Sequence, residues 1–144
     1  MSNNFTLMEQ VGQFQSLVEK TEFTDGNGND LNYEKGVQEN LKMLESLRDR
    51  GGNLFLVGNG GSAAVVSHIL TDFINVAKLN ARTLHESSLL SCMSNDYGYE
   101  SVFSRELEAV GKVEDVFVAI TTSGNSPNIL QAVEVANKRG IKTF

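Results

Sequence analysis

The sequence alternates between short apolar runs and amphipathic segments, and this pattern constrains the fold more than any other feature. Residues 53–57 (NLFLV) and 115–120 (DVFVAI) are continuous apolar runs, typical of strands buried on both faces. Helical patterns follow them at about 62–77 and 127–139. Strands that alternate with helices pair in parallel through right-handed crossovers. The sequence therefore predicts a three-layer α/β domain with a parallel sheet between helices.

The remaining pattern completes one domain over residues 1–144, with an N-terminal helical segment at 1–50 and an α/β core at 51–144. The other predicted elements are helices at 4–22, 32–49, 88–94 and 99–110, an extended piece at 82–85 and a strand that begins at 141. A plain loop is predicted at 24–30, because its Asp/Asn alternation lacks the glycine and glutamate of a calcium loop. The last residue, Phe144, falls inside a predicted strand, so we expect that a C-terminal part is missing or that a partner supplies it.

Composition argues against several classes of function. The chain has 18 acidic and 12 basic residues and a net charge of −6, which disfavours nucleic-acid binding. A single cysteine excludes an internal disulfide and fits a reducing compartment. The N-terminal residues lack a signal-peptide pattern, and no apolar run approaches the roughly 18 residues that span a bilayer. We therefore expect a cytoplasmic protein without a membrane or nucleic-acid partner.

A glycine cluster separates the first buried strand from its helix. Gly58, Gly60 and Gly61 allow close approach of the backbone, and Asn59 and Ser62 offer polar side chains. In an open parallel sheet, ligands bind where the carboxyl ends of strands meet helix N-termini, whose N–H groups attract anions. A tight turn that only packs the helix is the structural alternative.

The second buried strand ends in a similar loop, TTSGNSPN. Ser126 is predicted as an N-cap, since Pro127 suits the first helical turn. Capping does not explain Thr121, Thr122 and Ser123, three consecutive hydroxyls at a strand's carboxyl end. Four hydroxyls around one glycine predict a cradle for a phosphate monoester.

A dinucleotide site is a competing interpretation of the glycine cluster. Gly58, Gly60 and Ala63 satisfy the pattern G-x-G-x-x-A, and Glu86 stands where a ribose-binding acid would follow a second strand. Such a site leaves the second hydroxyl loop unexplained.

His68 and Asp72 are four residues apart on the predicted helix, so their side chains share one face. They lie two and three turns beyond the glycine loop. The pair is suited to bind a metal ion, or the carboxylate to act as a general base.

Three motifs in this order resemble the sugar isomerase (SIS) domain and its phosphoheptose isomerases: VGNGGSAAVVSH, SNDYGYESVFSREL and TTSGNSPNILQAVEVANKRG. The resemblance implies a flavodoxin-like sheet and a homotetramer with active sites at subunit interfaces. It also implies conversion of sedoheptulose 7-phosphate, a seven-carbon sugar, into D-glycero-D-manno-heptose 7-phosphate for lipopolysaccharide or capsule. Such a reaction removes a proton next to a carbonyl, and a metal ion can polarise that carbonyl and stabilise the enediolate.

The resemblance also assigns roles to individual residues. It implies substrate contacts from Asn59, Gly60, Gly61, Asn95, Asp96 and Asp72. It implies phosphate contacts from Thr121, Thr122, Ser123 and Ser126. His68 and Asp72 would be the catalytic pair and bind one zinc ion.

The chain departs from the family in two places. The family has glutamate where this chain has Asp72, and a displacement near 1 Å can cost about 100-fold in rate. The family also takes a glutamine and a second histidine from a helix beyond Phe144, a role that we do not assign to His85. Some relatives lack the catalytic carboxylate and act as phosphosugar-binding or adaptor proteins, one of them associated with a replication initiator. That role is the alternative to an aldose-ketose isomerase.

Overall fold

The computed structural model describes residues 6–144. The chain forms two compact units, Met1–Met43 and Leu44–Phe144, which are described separately below. Within the described residues, no helix is both long and apolar enough to cross a membrane.

The first unit opens with helix α1 (Leu7–Glu19). The Thr6 hydroxyl accepts a hydrogen bond from the N–H of Glu9, and the Glu9 carboxylate accepts one from the N–H of Thr6, which together form a capping box. Within its own unit α1 leaves its apolar side chains uncovered. The exposed members are Leu7, Met8, Val11, Phe14, Leu17 and Val18.

The segment predicted as a plain loop at 24–30 is the turn of a small hairpin. Strands β1 (Phe23–Thr24) and β2 (Asp30–Leu31) pair antiparallel. The Asp25 carboxylate closes the turn by accepting hydrogen bonds from the N–H groups of Asn27 and Asn29. The predicted loop is confirmed over residues 25–29. The strand pairing at its ends was not predicted, because strands of two residues carry too little hydrophobic pattern to be recognised.

Helix α2 (Tyr33–Asp49) follows the hairpin, within one residue of its predicted start, and it ends in the second unit. The remaining helices of the second unit are α3 (Gly61–Asn75), α4 (Ser87–Tyr97), α5 (Ser104–Val110) and α6 (Pro127–Lys138). Its strands are β3 (Asn53–Gly58), β4 (Asn80–Thr83), β5 (Val116–Ile120) and β6 (Lys142–Thr143).

The four strands form one parallel sheet in the order β4-β3-β5-β6. The chain therefore moves outward in one direction from β3 to β4, and in the other direction from β5 to β6. Right-handed crossovers place α3 and α6 on opposite faces of such a sheet. This confirms the predicted α/β architecture with a parallel sheet and locates its topological switch point between β3 and β5.

Alternating residues of β3 serve the two faces of the sheet. Phe55 and Val57 pack with Phe117 of β5 against α5 and α6, in a core that includes Phe103 and Ala132. Leu54 and Leu56 alternate with them and are also fully buried. A strand buried on both faces explains why its sequence is a continuous apolar run.

Two other predicted elements differ in detail. The helix predicted at 99–110 is divided into a 3-10 helix, Tyr99–Ser101, and α5, because the intervening Val102 and Phe103 turn into the core. The extended piece predicted at 82–85 is β4, two residues earlier. Its sequence, NART, is too polar to place a strand precisely.

Candidate active site

The two predicted loops lie side by side at the switch point. β3 and β5 are hydrogen-bonded neighbours whose last paired residues are Gly58 and Ile120. The glycine loop, which we define as residues 58–62, and the hydroxyl loop, residues 121–126, therefore leave the same edge of the sheet next to each other. This is the crevice where open α/β sheets bind ligands.

The glycine loop needs its glycines for two separate reasons. A Cβ at Gly58 would lie 2.8 Å from the carbonyl carbon of Ser62. The backbone of the first turn of α3 therefore packs directly against Gly58. Gly60 has φ +51°, a conformation that side chains other than glycine rarely adopt. The Asn59 carbonyl accepts hydrogen bonds from the N–H groups of Ser62 and Ala63, which fixes the first turn of α3. A helix N-terminus in this position favours an anion.

The hydroxyl loop is exposed and partly organised by its own side chains. The Thr121 hydroxyl accepts a hydrogen bond from the N–H of Gly124, and the Ser123 hydroxyl accepts one from the N–H of Asn125, both at 3.2 Å. A hydroxyl that accepts in this way keeps its own hydrogen for donation to a ligand. Thr122 is also exposed. The loop therefore presents several hydroxyl donors to solvent beside the glycine loop.

Ser126 stands at the N-cap of α6 and Pro127 at its first turn, as predicted. The Ser126 side chain makes no capping hydrogen bond, however. Its carbonyl accepts the N–H groups of Ile129 and Leu130, and the Asn128 side chain accepts a second bond from Ile129. The predicted N-cap position is therefore confirmed, but capping does not explain why this residue carries a hydroxyl.

A pair of asparagines joins the loops, and only one of them was identified from the sequence. The side-chain amides of Asn59 and Asn128 exchange two hydrogen bonds, of 2.9 Å and 2.8 Å. The hydroxyl of Tyr99 donates to the same Asn59 oxygen at 3.4 Å. The available signal for Asn128 was its position: it shares the 128-132-136 stripe with the buried Ala132 and Ala136, so it is a polar residue on an apolar helix face.

His85 is a second residue that sequence reasoning did not assign to the site. The N–H of Gly58 donates to its Nε2 at 3.3 Å, and its ring lies against Phe103. Burial lowers the pKa of His85, because the charged form loses water. Acceptance of a hydrogen bond at Nε2 also requires the lone pair of the neutral ring. The neutral form of His85 thus supports Gly58, the first residue of the glycine loop.

Asn95 and Asp96 lie on the last turn of α4. Both are exposed, and the Asn95 amide donates to the Asp96 carboxylate at 2.8 Å. The other Asp96 oxygen lies 3.6 Å from the Cys92 sulfur and, through this hydrogen bond, raises the pKa of the thiol. The structure shows no hydrogen bond between this pair and the atoms of either loop.

His68 and Asp72 are exposed on α3. At 100° per residue they lie roughly opposite Val66, the fully buried residue of this helix, and therefore face away from the sheet. At about 1.5 Å per residue, Asp72 is about 16 Å along the axis from Gly61. Within one chain the structure therefore brings the two loops together, but it does not bring Asp72 beside them.

The structure gives Glu86, the acidic residue of the dinucleotide interpretation, a different role. Glu86 is the N-cap of α4, and its carboxylate accepts hydrogen bonds from the N–H of Leu89 and the hydroxyl of Ser88. The hydrogen bond from Leu89 is the main cause of its lowered pKa. Because this carboxylate caps a helix, it is committed to the chain's own backbone.

The sequence predicts a zinc ion at His68 and Asp72. Their side chains offer one nitrogen and one oxygen of the types that zinc accepts as ligands. Across residues 6–144 no three His, Cys, Asp or Glu side chains come close enough together to hold a metal ion.

Comparison with known proteins places this geometry in a family. The SIS domain model matches residues 33–144. A phosphoheptose isomerase from Akkermansia muciniphila is 37% identical over 128 residues, which cover 75% of this chain and 68% of that protein. The chain belongs to the phosphoheptose isomerase family of SIS domains.

Other members of the phosphoheptose isomerase family agree. Such an isomerase from Pelobacter propionicus is 39% identical over 109 residues, or 72% of this chain and 57% of that protein. The solved phosphoheptose isomerase GmhA from Neisseria gonorrhoeae has a TM-score of 0.74 and 33% identity, over 96% of this chain and 73% of that one. The chain thus spans between about half and three quarters of the length of these relatives.

Proposed function

We propose that this chain is the loop-bearing part of an isomerase that converts sedoheptulose 7-phosphate into D-glycero-D-manno-heptose 7-phosphate. The observation that carries the proposal is the adjacency of the glycine and hydroxyl loops at the switch point. An acidic protein can hold a sugar phosphate only through local donors, and these two loops concentrate such donors. The relatives named above are phosphoheptose isomerases, which supports the same substrate.

The proposed binding mode assigns the phosphate to the hydroxyl loop. Thr121, Thr122, Ser123 and Ser126 donate hydrogen bonds to its oxygens, and the N-terminus of α6 adds a favourable dipole. The sugar chain extends across the glycine loop, where Gly60 and Gly61 permit contact with the backbone and Asn59 borders the site. Asn95 and Asp96 are proposed to contact the sugar from α4.

The reaction moves a proton from C1 to C2 of the sugar, while the hydrogen of the C1 hydroxyl moves to the C2 oxygen. A carboxylate is the group required to remove the carbon-bound proton and return it. We assign this role to Asp72, with His68 on the same helix face. A zinc ion held by these two residues, with further ligands from outside residues 6–144, would polarise the C2 carbonyl. The carbon-bound proton at C1 would then be more acidic and easier to remove.

The position of Asp72 supports a site built by more than one chain. Asp72 and His68 face away from their own sheet, so they are available to a neighbouring copy, and Val65 and Ile74 are exposed on the same helix. The uncovered apolar stripe of α1 offers a surface for helix packing. We therefore propose a homotetramer in which active sites form at subunit interfaces.

The wider biological assignment follows from the product. A heptose 7-phosphate is proposed to feed heptose biosynthesis for lipopolysaccharide or capsule. The cytoplasmic location remains a prediction, which the single cysteine supports.

The test is turnover of sedoheptulose 7-phosphate by the whole protein with zinc, followed by detection of the aldose. We expect Asp72→Asn to lower kcat by at least about 100-fold, because the general base is lost while the shape is kept. Asp72→Glu should raise kcat about tenfold, because the longer side chain matches the family carboxylate. Asp49→Asn removes the same charge from an exposed site on α2 and should leave kcat within about twofold.

Two results would contradict the proposal. Unchanged kcat in Asp72→Asn would remove Asp72 from the reaction. Absence of turnover in every variant, with retained binding of the sugar phosphate, would instead support the phosphosugar-binding or adaptor role.

A further inference from the structure

We propose that Asn128 is the positioning residue that joins the glycine loop and the hydroxyl loop into one binding cradle. In this arrangement neither loop holds its share of the ligand without the other. The identity of that ligand, a phosphorylated sugar, rests on the proposed function. The link between the loops rests on the geometry alone.

The Asn59–Asn128 pair is a closed, two-way contact. Each amide donates to the oxygen of the other, at 2.9 Å and 2.8 Å, so neither amide can flip without the loss of both bonds. Asn128 is only 2% exposed, and its oxygen also accepts the N–H of Ile129 at 3.0 Å. Displacement of this buried amide costs free energy, because its nitrogen and oxygen would lose their hydrogen-bond partners without gaining water in exchange.

The contact connects the parts of each loop that would meet a ligand. Asn128 is the second residue of α6 and lies two positions after Ser126, the last residue of the hydroxyl loop. Asn59 lies between Gly58 and Gly60, and its carbonyl holds the first turn of α3. A shift of the hydroxyl loop on phosphate binding is therefore transmitted to the residues that border the sugar. Tyr99 restrains the same Asn59 oxygen from a third element.

A purely structural role for Asn128 makes a different prediction. A buried amide that only satisfies its neighbours would affect unfolding when it is removed, and its effect on binding would add independently to that of Asn59. A positioning residue acts through Asn59, so the two removals should not add.

The first experiment measures binding of sedoheptulose 7-phosphate by calorimetry. Asn128→Ala and Asn59→Ala should each raise Kd about tenfold, and the double variant should raise it no more than about twofold further. Gln131→Ala is the matched control: it removes a half-buried amide from the same helix, where Gln131 accepts bonds from Ser101 and Ser104. Its Kd should stay within about twofold of the unmodified protein.

The second experiment needs no ligand and follows amide hydrogen exchange in the first turn of α3. Asn128→Ala should accelerate exchange at Ser62, Ala63 and Ala64 at least about tenfold more than Gln131→Ala does. Asn128→Asp serves if the alanine variant does not fold. It keeps the volume and the oxygen that accepts from Asn59, and it replaces the amide donor with a carboxylate oxygen whose charge is costly to bury, so it should also accelerate exchange there. Gln131→Glu is the control for the added charge.

The outcomes separate the two proposals. Equal exchange in the Asn128 and Gln131 variants, or losses of affinity that multiply in the double variant, would overturn the positioning role. An unmodified protein that binds neither sedoheptulose 7-phosphate nor inorganic phosphate would overturn the proposed function. The exchange experiment would still decide whether Asn128 links the loops.

Discussion

Three side chains at the carboxyl edge of the sheet hold the loops in place. Asn128 and Tyr99 bond to the Asn59 side chain, and His85 bonds to the N–H of Gly58. The loop residues themselves were identifiable because glycines and hydroxyls follow buried strands. The side chains that support the loops were not identifiable. Asn59 and Asn128, for example, are 69 positions apart, and only the strand order brings them together.

The contact between His85 and Gly58 predicts a pH dependence of stability. Burial lowers the pKa of His85 in the folded protein, so the unfolded state binds more protons as the pH falls. The stabilisation is therefore complete above the unfolded pKa, about 6.5, and is lost as the pH falls through the lower folded pKa. His85→Gln places an untitratable acceptor near the position of Nε2. Urea unfolding between pH 7.5 and pH 5 should show a steeper loss of stability in the unmodified protein, and parallel curves would contradict the role of His85.

At the scale of elements, α3 determines what a single chain can do. It begins against Gly58, points its N-terminus at the switch point and carries His68 and Asp72 on its outer face. The spacing of four residues correctly predicted that the pair shares a face. It did not predict that this face is turned away from the sheet, because several apolar residues of α3 competed for the inner position. The short hairpin was missed for a different reason: strands of two residues carry too weak a hydrophobic pattern.

The close start of α3 predicts a contrast between two glycines. Gly58→Ala should lower the free energy of unfolding by about 1–3 kcal/mol, because its Cβ would clash with the backbone of Ser62. Gly61→Ala should stay within about 1 kcal/mol of the unmodified protein, since no atom lies within 4 Å of its added Cβ. Urea denaturation measures both. Equal stability of the two variants would show that α3 does not begin where the structure places it.

At the scale of the whole molecule, the predicted architecture was the most secure result. The long apolar runs of β3 and β5 predicted two buried parallel strands. That these two strands are neighbours, which places the two loops together, is known only from the structure. The position of Asp72 relative to the loops was not predicted, because the spacing of residues along α3 does not specify which face of the helix packs against the sheet.

The central claim is that the glycine and hydroxyl loops hold one phosphorylated sugar jointly. Titration of the isotope-labelled protein with sedoheptulose 7-phosphate, observed through backbone amide signals, tests this claim most directly. The account predicts that signals of residues 58–62 and 121–126 shift together and saturate with a single Kd, and that unphosphorylated sedoheptulose shifts neither set. Movement of only one loop, or saturation of the two loops at different concentrations, would contradict it.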